Sequence, residues 1–480
     1  MRDKIILLEH TARLLEPNAA QRKYLIDKTI GYTEDFLNNL QTSLTYVSSP
    51  GNRKGLFDSP ISDSTINIDE VLSLLKENVD TPGINPASGG HLGYIPGGGI
   101  FHSSLGDFIA AITNRYAGVF FASPGAVRME NMLIDWMAEL VGYPGTASGN
   151  LTSGGSISNL IAVVSAREAF SIKPGDIEKS VVYLTAQTHH SVEKSLRIAG
   201  LKYCIKHYIP MDDKFRMNSE QLEITIKKDL QNGLKPWLII ASAGTTDIGA
   251  VDPLYDIGEV ADRYNLWLHV DGAYGAFFIL SETGKGVLKG IEKSDSLIMD
   301  PHKGLFLPYG SGAVLVKEKM NLYNAHYYQA DYMQDALTSV EELSPADLSP
   351  ELSKHFRGLR LWLPLKLLGL APFRAALEEK ILLARHAYEK LSEIDNIELG
   401  PYPDLSIITF RYLPLAGDAD EFNKKLIEAI HKDGRVFLSS TMINGKYTLR
   451  IAVCSFRTHL EEIDSAISII LEKIKLIGQS

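Results

Sequence analysis

The 480-residue chain has two cysteines, Cys204 and Cys454, far apart in sequence. That count excludes a disulfide framework and a CxxC metal site, and the plain reading of both is as small buried apolar side chains. There is no excess of positive charge. The formal net charge is −10, which argues against nucleic acid or an anionic membrane as the main partner, although a local basic pocket for a phosphate stays compatible with it. No stretch reaches the roughly 20 apolar residues of a membrane span. The opening MRDKIILLEHTARL has too short an apolar run for a signal peptide and no small-residue cleavage site, so a cytoplasmic protein is expected. Internal repeats, low-complexity tracts and a disorder signature are also lacking. With 45% apolar and 22% charged residues, a chain of this length is expected to fold as two or three globular domains.

What is present is an alternation of short apolar runs and amphipathic segments. Residues 17–42 read as an amphipathic helix, followed by a polar stretch (48–65) and the glycine-rich SGGHLGYIPGGG (88–99). Helical patterns cover 103–118 and 126–141, and another helix opens at TSGGS (152–156). VVYLT (181–185), WLIIAS (237–242), LWLHVD (266–271), SLIMD (296–300) and GAVLVK (312–317) read as strands, with helices beginning near His189 and over 253–264. Such an order implies an α/β fold with a mainly parallel sheet covered on both faces, whose ligand sits at the carboxyl ends of the strands. Residues 327–354 look like a long loop and 355–369 like a connecting helix. The remainder has the pattern of a smaller α+β domain: helices over 373–393 and 420–431, strands LSIITF (405–410) and YTLRIAVC (447–454), and a closing helix with Leu460, Ile463, Ile467, Ile470, Leu471 and Ile474 on one face. The expected division is a helical segment 1–87, a large domain 88–326, a mobile loop with connecting helix 327–372, and a small domain 373–480.

Five polar elements follow strands in this pattern. Lys303, in DPHKGLF, sits just past an apolar strand, where an amine can be held rigid and partly desolvated as a nucleophile. Asp271 ends LWLHVD, 32 residues upstream, about one strand–helix–strand unit. NLTSGGSISNL (150–160) places Gly155 and Ser156 at a helix start, a ready site for a phosphate. His189 opens a helix after a strand, and Thr245 and Thr246 follow another. Each has an ordinary explanation alone: a solvated edge lysine, a turn-capping aspartate, a serine N-cap, a surface or core histidine, turn threonines. The adjacent His189 and His190 lack a third ligand nearby for a metal. Together, however, the set supplies what pyridoxal 5′-phosphate requires: a phosphate loop, a ring-stacking imidazole, a carboxylate for the ring nitrogen and a Schiff-base lysine.

At these residues the chain resembles the group II pyridoxal phosphate-dependent amino acid decarboxylases. HVDGAY is similar to the family's HVDAAY, DPHKGLF to NPHKW, THHSVEK to AHSSVEK, GYIPGG (93–98) to AYFPTG, and LRIAVCSFRT to its C-terminal segment. The resemblance runs from about Ser88 to Thr458. It implies the fold-type I (aspartate aminotransferase-like) architecture, a homodimer with an active site shared between subunits, and an aromatic or similar L-amino acid converted to its amine and CO2. It further implies Lys303, Asp271 and His189 as catalytic residues, with Gly155, Ser156, Thr246 and His302 beside the cofactor. Tyr94, Ile95, Pro96, Lys354 and Arg357 fall in its substrate pocket.

Three departures from the family pattern stand out. Asp300 replaces a common asparagine. The mobile loop's proton-donating tyrosine has no counterpart over 333–354; Tyr332 only opens the loop, so the Cα proton donor is unassigned, with His355 the one candidate. Lys354 stands where glutamate decarboxylases have an arginine, and lysine lacks the bidentate fork for a substrate carboxylate. A decarboxylation-dependent aldehyde synthase, an aminotransferase, a carbon–carbon lyase and an inactive relative are the competing expectations.

Overall fold

The computed structural model describes residues 1–49, 55–95, 97–328 and 342–479. A two-residue ribbon, β1 (Tyr46–Val47) with β2 (Gly83–Ile84), precedes the main sheet. That sheet has seven strands: β3 (Ser148–Thr152), β4 (Ser180–Leu184), β5 (Ile205–Tyr208), β6 (Lys235–Ser242), β7 (Trp267–Asp271), β8 (Ser296–Met299) and β9 (Gly312–Val316). Their spatial order is β3-β9-β8-β7-β6-β4-β5. β5 and β3 carry weak apolar patterns and were not legible as strands; β5 is an edge strand with no fully buried residue.

The apolar runs are continuous because both faces are covered, and strand periodicity divides each run between two cores. In β6, Ile239 and Ala241 pack on one side with Tyr183, Leu268, Val270 and Leu297. Leu238 and Ile240 pack on the other with Val182, Leu184, Trp267 and Ile298.

The pairs from β5 through β8 are parallel. β9 is antiparallel to β8: residues 300–311 between them hold only the four-residue helix Pro301–Gly304, shorter than the helix a parallel crossover usually carries. β3 is in turn antiparallel to β9. Two reversals restore the original sense, so the carboxyl ends of β3, β4, β6, β7 and β8 all lie along one edge. The site is assembled there.

The second sheet, β10 (Ile397–Leu399), β11 (Ile407–Tyr412), β12 (Ser439–Ile443) and β13 (Lys446–Ala452), is antiparallel in the order β10-β11-β13-β12. Helices Ala371–Ser392, Ala419–Asp433 and Leu460–Gly478 cover it, burying Leu383, Leu426, Ile463 and Ile470 against Ile408, Phe410 and Ile451. The closing helix buries Ile463, Ile467, Ile470 and Ile474 as its spacing predicts, while Leu460 at its first turn is exposed.

Two helices open the chain. Ala19–Asn38 lies inside the expected 17–42, starting at a capping box of Asn18 and Gln21. Arg2–Ala12 was not anticipated, because its apolar residues cluster as IILL instead of following a helical stripe. Neither helix buries a single residue. Among the described residues, no helix is long and apolar enough to cross a membrane.

Of the expected loop 327–354, residues 329–341 lie outside the described residues, including Tyr332. The part after them is anchored. Asn150 Nδ2 donates to the Pro345 carbonyl at 2.7 Å, and Arg128 pairs with Glu342 at 2.8 Å. Lys354, placed by resemblance in the substrate pocket, is instead the buried partner of Glu130, at 2.6 Å, and also donates to Asn150 Oδ1 at 2.8 Å. Arg357 is turned the same way, forming a two-pronged pair with Glu351 at 2.9 and 3.0 Å. Both cations have their charges matched inside the protein. Removing one member of a buried pair strands the other. Lys354→Met is therefore expected to cost about 3–5 kcal/mol in urea unfolding, and adding Glu130→Met to recover much of that loss.

Candidate active site

Five loops at the common strand edge supply the site. After β3, residues 153–156 turn into the helix Gly155–Ala169, and Gly154 takes φ +148°, with its missing Cβ only 3.3 Å from His302 Cε1. A side chain there would fill the space in front of the helix N-terminus. After β4 comes His189, whose side chain caps the helix His190–Ile198. β6 leads to Thr245 and Thr246, β7 ends on Asp271, and β8 leads to Asp300, His302 and Lys303.

These residues line one cavity of about 310 Å3. The structure thus brings together Gly155, Ser156, His189, Thr246, Asp271, His302 and Lys303. It does not bring Tyr94, Ile95, Lys354 or Arg357 to the cavity wall, and Pro96 lies outside the described residues. Tyr94 is 57% exposed with φ +52°, Ile95 packs against the main core, and His355 is exposed away from the cavity.

Lys303 Nζ is 3.2 Å from Asp300 Oδ2. The same oxygen accepts the Gly155 N–H at 3.1 Å, so the carboxylate that replaces the expected asparagine sits at a helix N-terminus, where anions are favoured. Asp300 is 1% exposed, and its Oδ1 has no hydrogen-bond partner among the described residues. His302 Nδ1–H donates to the Ser311 carbonyl at 2.5 Å, and burial holds its pKa below the usual histidine value despite nearby Asp300. Burial likewise lowers His189, opposed by the charge of Asp271.

Asp271 is buried, and both of its oxygens are held: Oδ2 by Asn159 Nδ2 at 3.0 Å, Oδ1 by the Ala273 N–H at 3.2 Å. Asn159 also touches His269, two residues before Asp271 on the same face of β7, at 2.8 Å. Burial pushes His269 down to about 4, so it stays neutral beside the carboxylate. Asn159, Ser191 and His269 escaped the reading of the sequence. A signal existed for His269, a polar residue at the i−2 position in an otherwise apolar strand; Asn159 gave none, since a polar residue near a helix start is ordinary. Arg450 was also missed. From β13 it donates to the carbonyls of Thr246 and Asp247 and to Ser439 Oγ, bracing the turn that carries Thr246.

An amine, a buried and fully held carboxylate, imidazoles and a helix N-terminus facing one cavity are the donor set that a phosphorylated pyridine aldehyde needs. The class of protein this fold and site define is a pyridoxal phosphate-dependent enzyme of fold type I. Residues 50–413 match the model of the pyridoxal-dependent decarboxylase conserved domain, and the chain belongs to that family. It is 34% identical over 472 residues to an aromatic-L-amino-acid decarboxylase of Bacillus atrophaeus, covering 97% of each chain. It is 29% identical to a phenylacetaldehyde synthase of Petunia hybrida, over 96% of this chain and 95% of that one. Among solved structures, Oryza sativa TDC with PLP and tryptamine superposes with a TM-score of 0.89 at 24% identity, over 96% of this chain and 99% of that one. When bound, pyridoxal phosphate supplies an aldehyde that captures an amine and a ring that accepts the electron pair of a bond broken at Cα.

Asp300 brings a buried negative charge to the end of the cavity where the helix N-terminus favours an anion. Asp300→Asn retains an oxygen for the Gly155 N–H and removes that charge. It is expected to tighten cofactor binding about tenfold, roughly 1.4 kcal/mol, measured by titrating cofactor-free protein with pyridoxal phosphate.

Proposed function

We propose that the chain decarboxylates an aromatic L-amino acid to the amine and CO2. In this reading Lys303 carries the cofactor covalently and Asp271 faces its ring nitrogen. His189 lies against the ring, Thr246 beside it, and Gly155, Ser156 and His302 hold the phosphate. The observation that carries the reading is that all seven, drawn from five strand ends, line a single cavity. Asp271 keeps charge at the ring nitrogen because Asn159 and the Ala273 N–H satisfy it without protonating it. Lys303 leaves its pair with Asp300 to carry the cofactor, and the Asp300 carboxylate remains beside it to hold the amine again whenever the substrate amine has displaced it.

The substrate class is supported by the Bacillus relative named for aromatic amino acids. A second product class, the aldehyde, is favoured by two observations: no tyrosine occurs over 333–354, and a relative of comparable coverage is a phenylacetaldehyde synthase. Incubating cofactor-loaded protein with phenylalanine, tyrosine, tryptophan and DOPA separates the two. Equimolar CO2 and amine is the expected result; aldehyde with peroxide and ammonia would replace decarboxylase by aldehyde synthase. Lys303→Ala is expected to abolish the visible absorbance of bound cofactor and to lower turnover at least 1,000-fold.

The working unit in this proposal is a cytoplasmic homodimer with an active site shared between subunits. Its support is the N-terminal pair of helices, which bury nothing in their own chain while exposing Ile5, Leu7, Leu8, Ile26 and Ile30. Isolated helices of this length gain little in water without a packed face, so a second copy is the natural cover. Sedimentation is expected to give a dimer, and deletion of residues 1–38 to shift it toward monomer at micromolar concentration.

A further inference from the structure

A buried run of hydrogen bonds joins Trp267 to His189 through four side chains, with Asp271 as a branch. Trp267 Nε1 lies 2.8 Å from Ser296 Oγ, and that oxygen lies 2.9 Å from His269 Nδ1. His269 Nε2 lies 2.8 Å from Asn159 Oδ1. Asn159 Nδ2 reaches Asp271 Oδ2 at 3.0 Å and Ser191 Oγ at 2.9 Å. Ser191 Oγ lies 2.6 Å from His189 Nδ1. Asn159, Ser191, His269 and Ser296 are all fully or almost fully buried, so no solvent intervenes.

The chemistry of the two ends orients every proton between them. A carboxylate only accepts, so Asn159 must turn its NH2 toward Asp271, and its two hydrogens go to Asp271 and Ser191. Its oxygen then accepts, which puts a hydrogen on His269 Nε2. His269 is neutral, so its Nδ1 accepts from the Ser296 hydroxyl, whose lone pair takes the indole N–H of Trp267, a donor only. At the other end, Ser191 Oγ accepts from Asn159 and keeps one hydrogen to donate, and His189 Nδ1 lies 2.6 Å away to take it. The Ser191 backbone N–H points at the same nitrogen, at 3.3 Å. A hydrogen on Nδ1 would point at that fixed backbone N–H and leave it without this acceptor.

We propose that this relay locks His189 as the neutral tautomer with its hydrogen on Nε2, and that Ser191 and Asn159 are the positioning residues that do so. The ring then offers the cavity one N–H donor, aimed at an oxygen acceptor of the bound amino acid or cofactor, and never a lone pair at that nitrogen. Through Asn159, the charge that Asp271 holds and the proton that His189 presents are set by one amide. The functional weight of the inference rests on the reading that His189 borders the reacting amino acid; the tautomer itself does not depend on it.

The test is the nitrogen-15 spectrum of histidine-labelled holoenzyme, with the His189 signals assigned by their loss in His189→Asn. Expected are a protonated Nε2 and an unprotonated, hydrogen-bonded Nδ1. Ser191→Ala is expected to shift the Nδ1 resonance toward a mixed-tautomer average and to lower kcat about tenfold with KM within twofold. Ser191→Thr, which keeps the hydroxyl, is expected to restore both. A protonated Nδ1 in the unaltered protein, or a Ser191→Ala spectrum identical to it, overturns the proposal. Since the spectrum is read without substrate, a chain that decarboxylates nothing would refute the proposed function and leave this result standing.

Discussion

The structure depends on a carboxylate held where carboxylates are expensive to keep. Asp271 ends a fully buried strand, between apolar layers on both faces of the sheet, and an unpaired charge there would cost several kcal/mol. Two donors, the Asn159 amide and the Ala273 N–H, satisfy it. Neither is a cation, so the charge is stabilised without being neutralised and stays available to a ligand. The neighbouring imidazole of His269 is kept neutral by the same burial. Helix Gly155–Ala169 therefore does two jobs: its first turn faces the cavity, and its Asn159 reaches beneath it to hold Asp271 and Ser191.

The second charged centre has the opposite design. Asp300 and Lys303 neutralise one another at the mouth of the same helix, with the Gly155 N–H shared. The lysine to which the proposed function gives the nucleophile's role is thus held as half of an ion pair. The carboxylate that stores it occupies ground an anionic group would otherwise take. An asparagine at this place would hold the loop without that competition, so the replacement bears on how tightly a phosphate is held rather than on whether the loop forms.

Much of this was legible in the chain. The strands around WLIIAS, LWLHVD and SLIMD announce themselves because burial on both faces demands uninterrupted apolar residues. Residues that must follow such strands at the carboxyl edge can be named from order, and His189, Thr246, Asp271 and Lys303 were, while Gly155 was named from a glycine–serine loop opening a helix. Lys354 and Arg357 were placed by resemblance near a substrate, and the structure seats them against Glu130 and Glu351. A pattern of residue types cannot distinguish a cation offered to a ligand from one consumed by an internal partner more than 200 positions away in sequence, as Glu130 is from Lys354.

By itself, then, the sequence determined the layered α/β architecture, the edge at which chemistry is done and the residue types available there. Those follow from periodicity and from the order of elements, which are local properties. Only the tertiary structure decided that β9 reverses so that β3 returns its glycine loop to the common edge, and which polar side chains face one another. It alone made Asn159 the joint between Asp271 and His189, and His269 its neutral support. Hydrogen-bond partnership is a matter of a few tenths of an ångström between residues about 30 to more than 100 positions apart, and nothing in local composition encodes it.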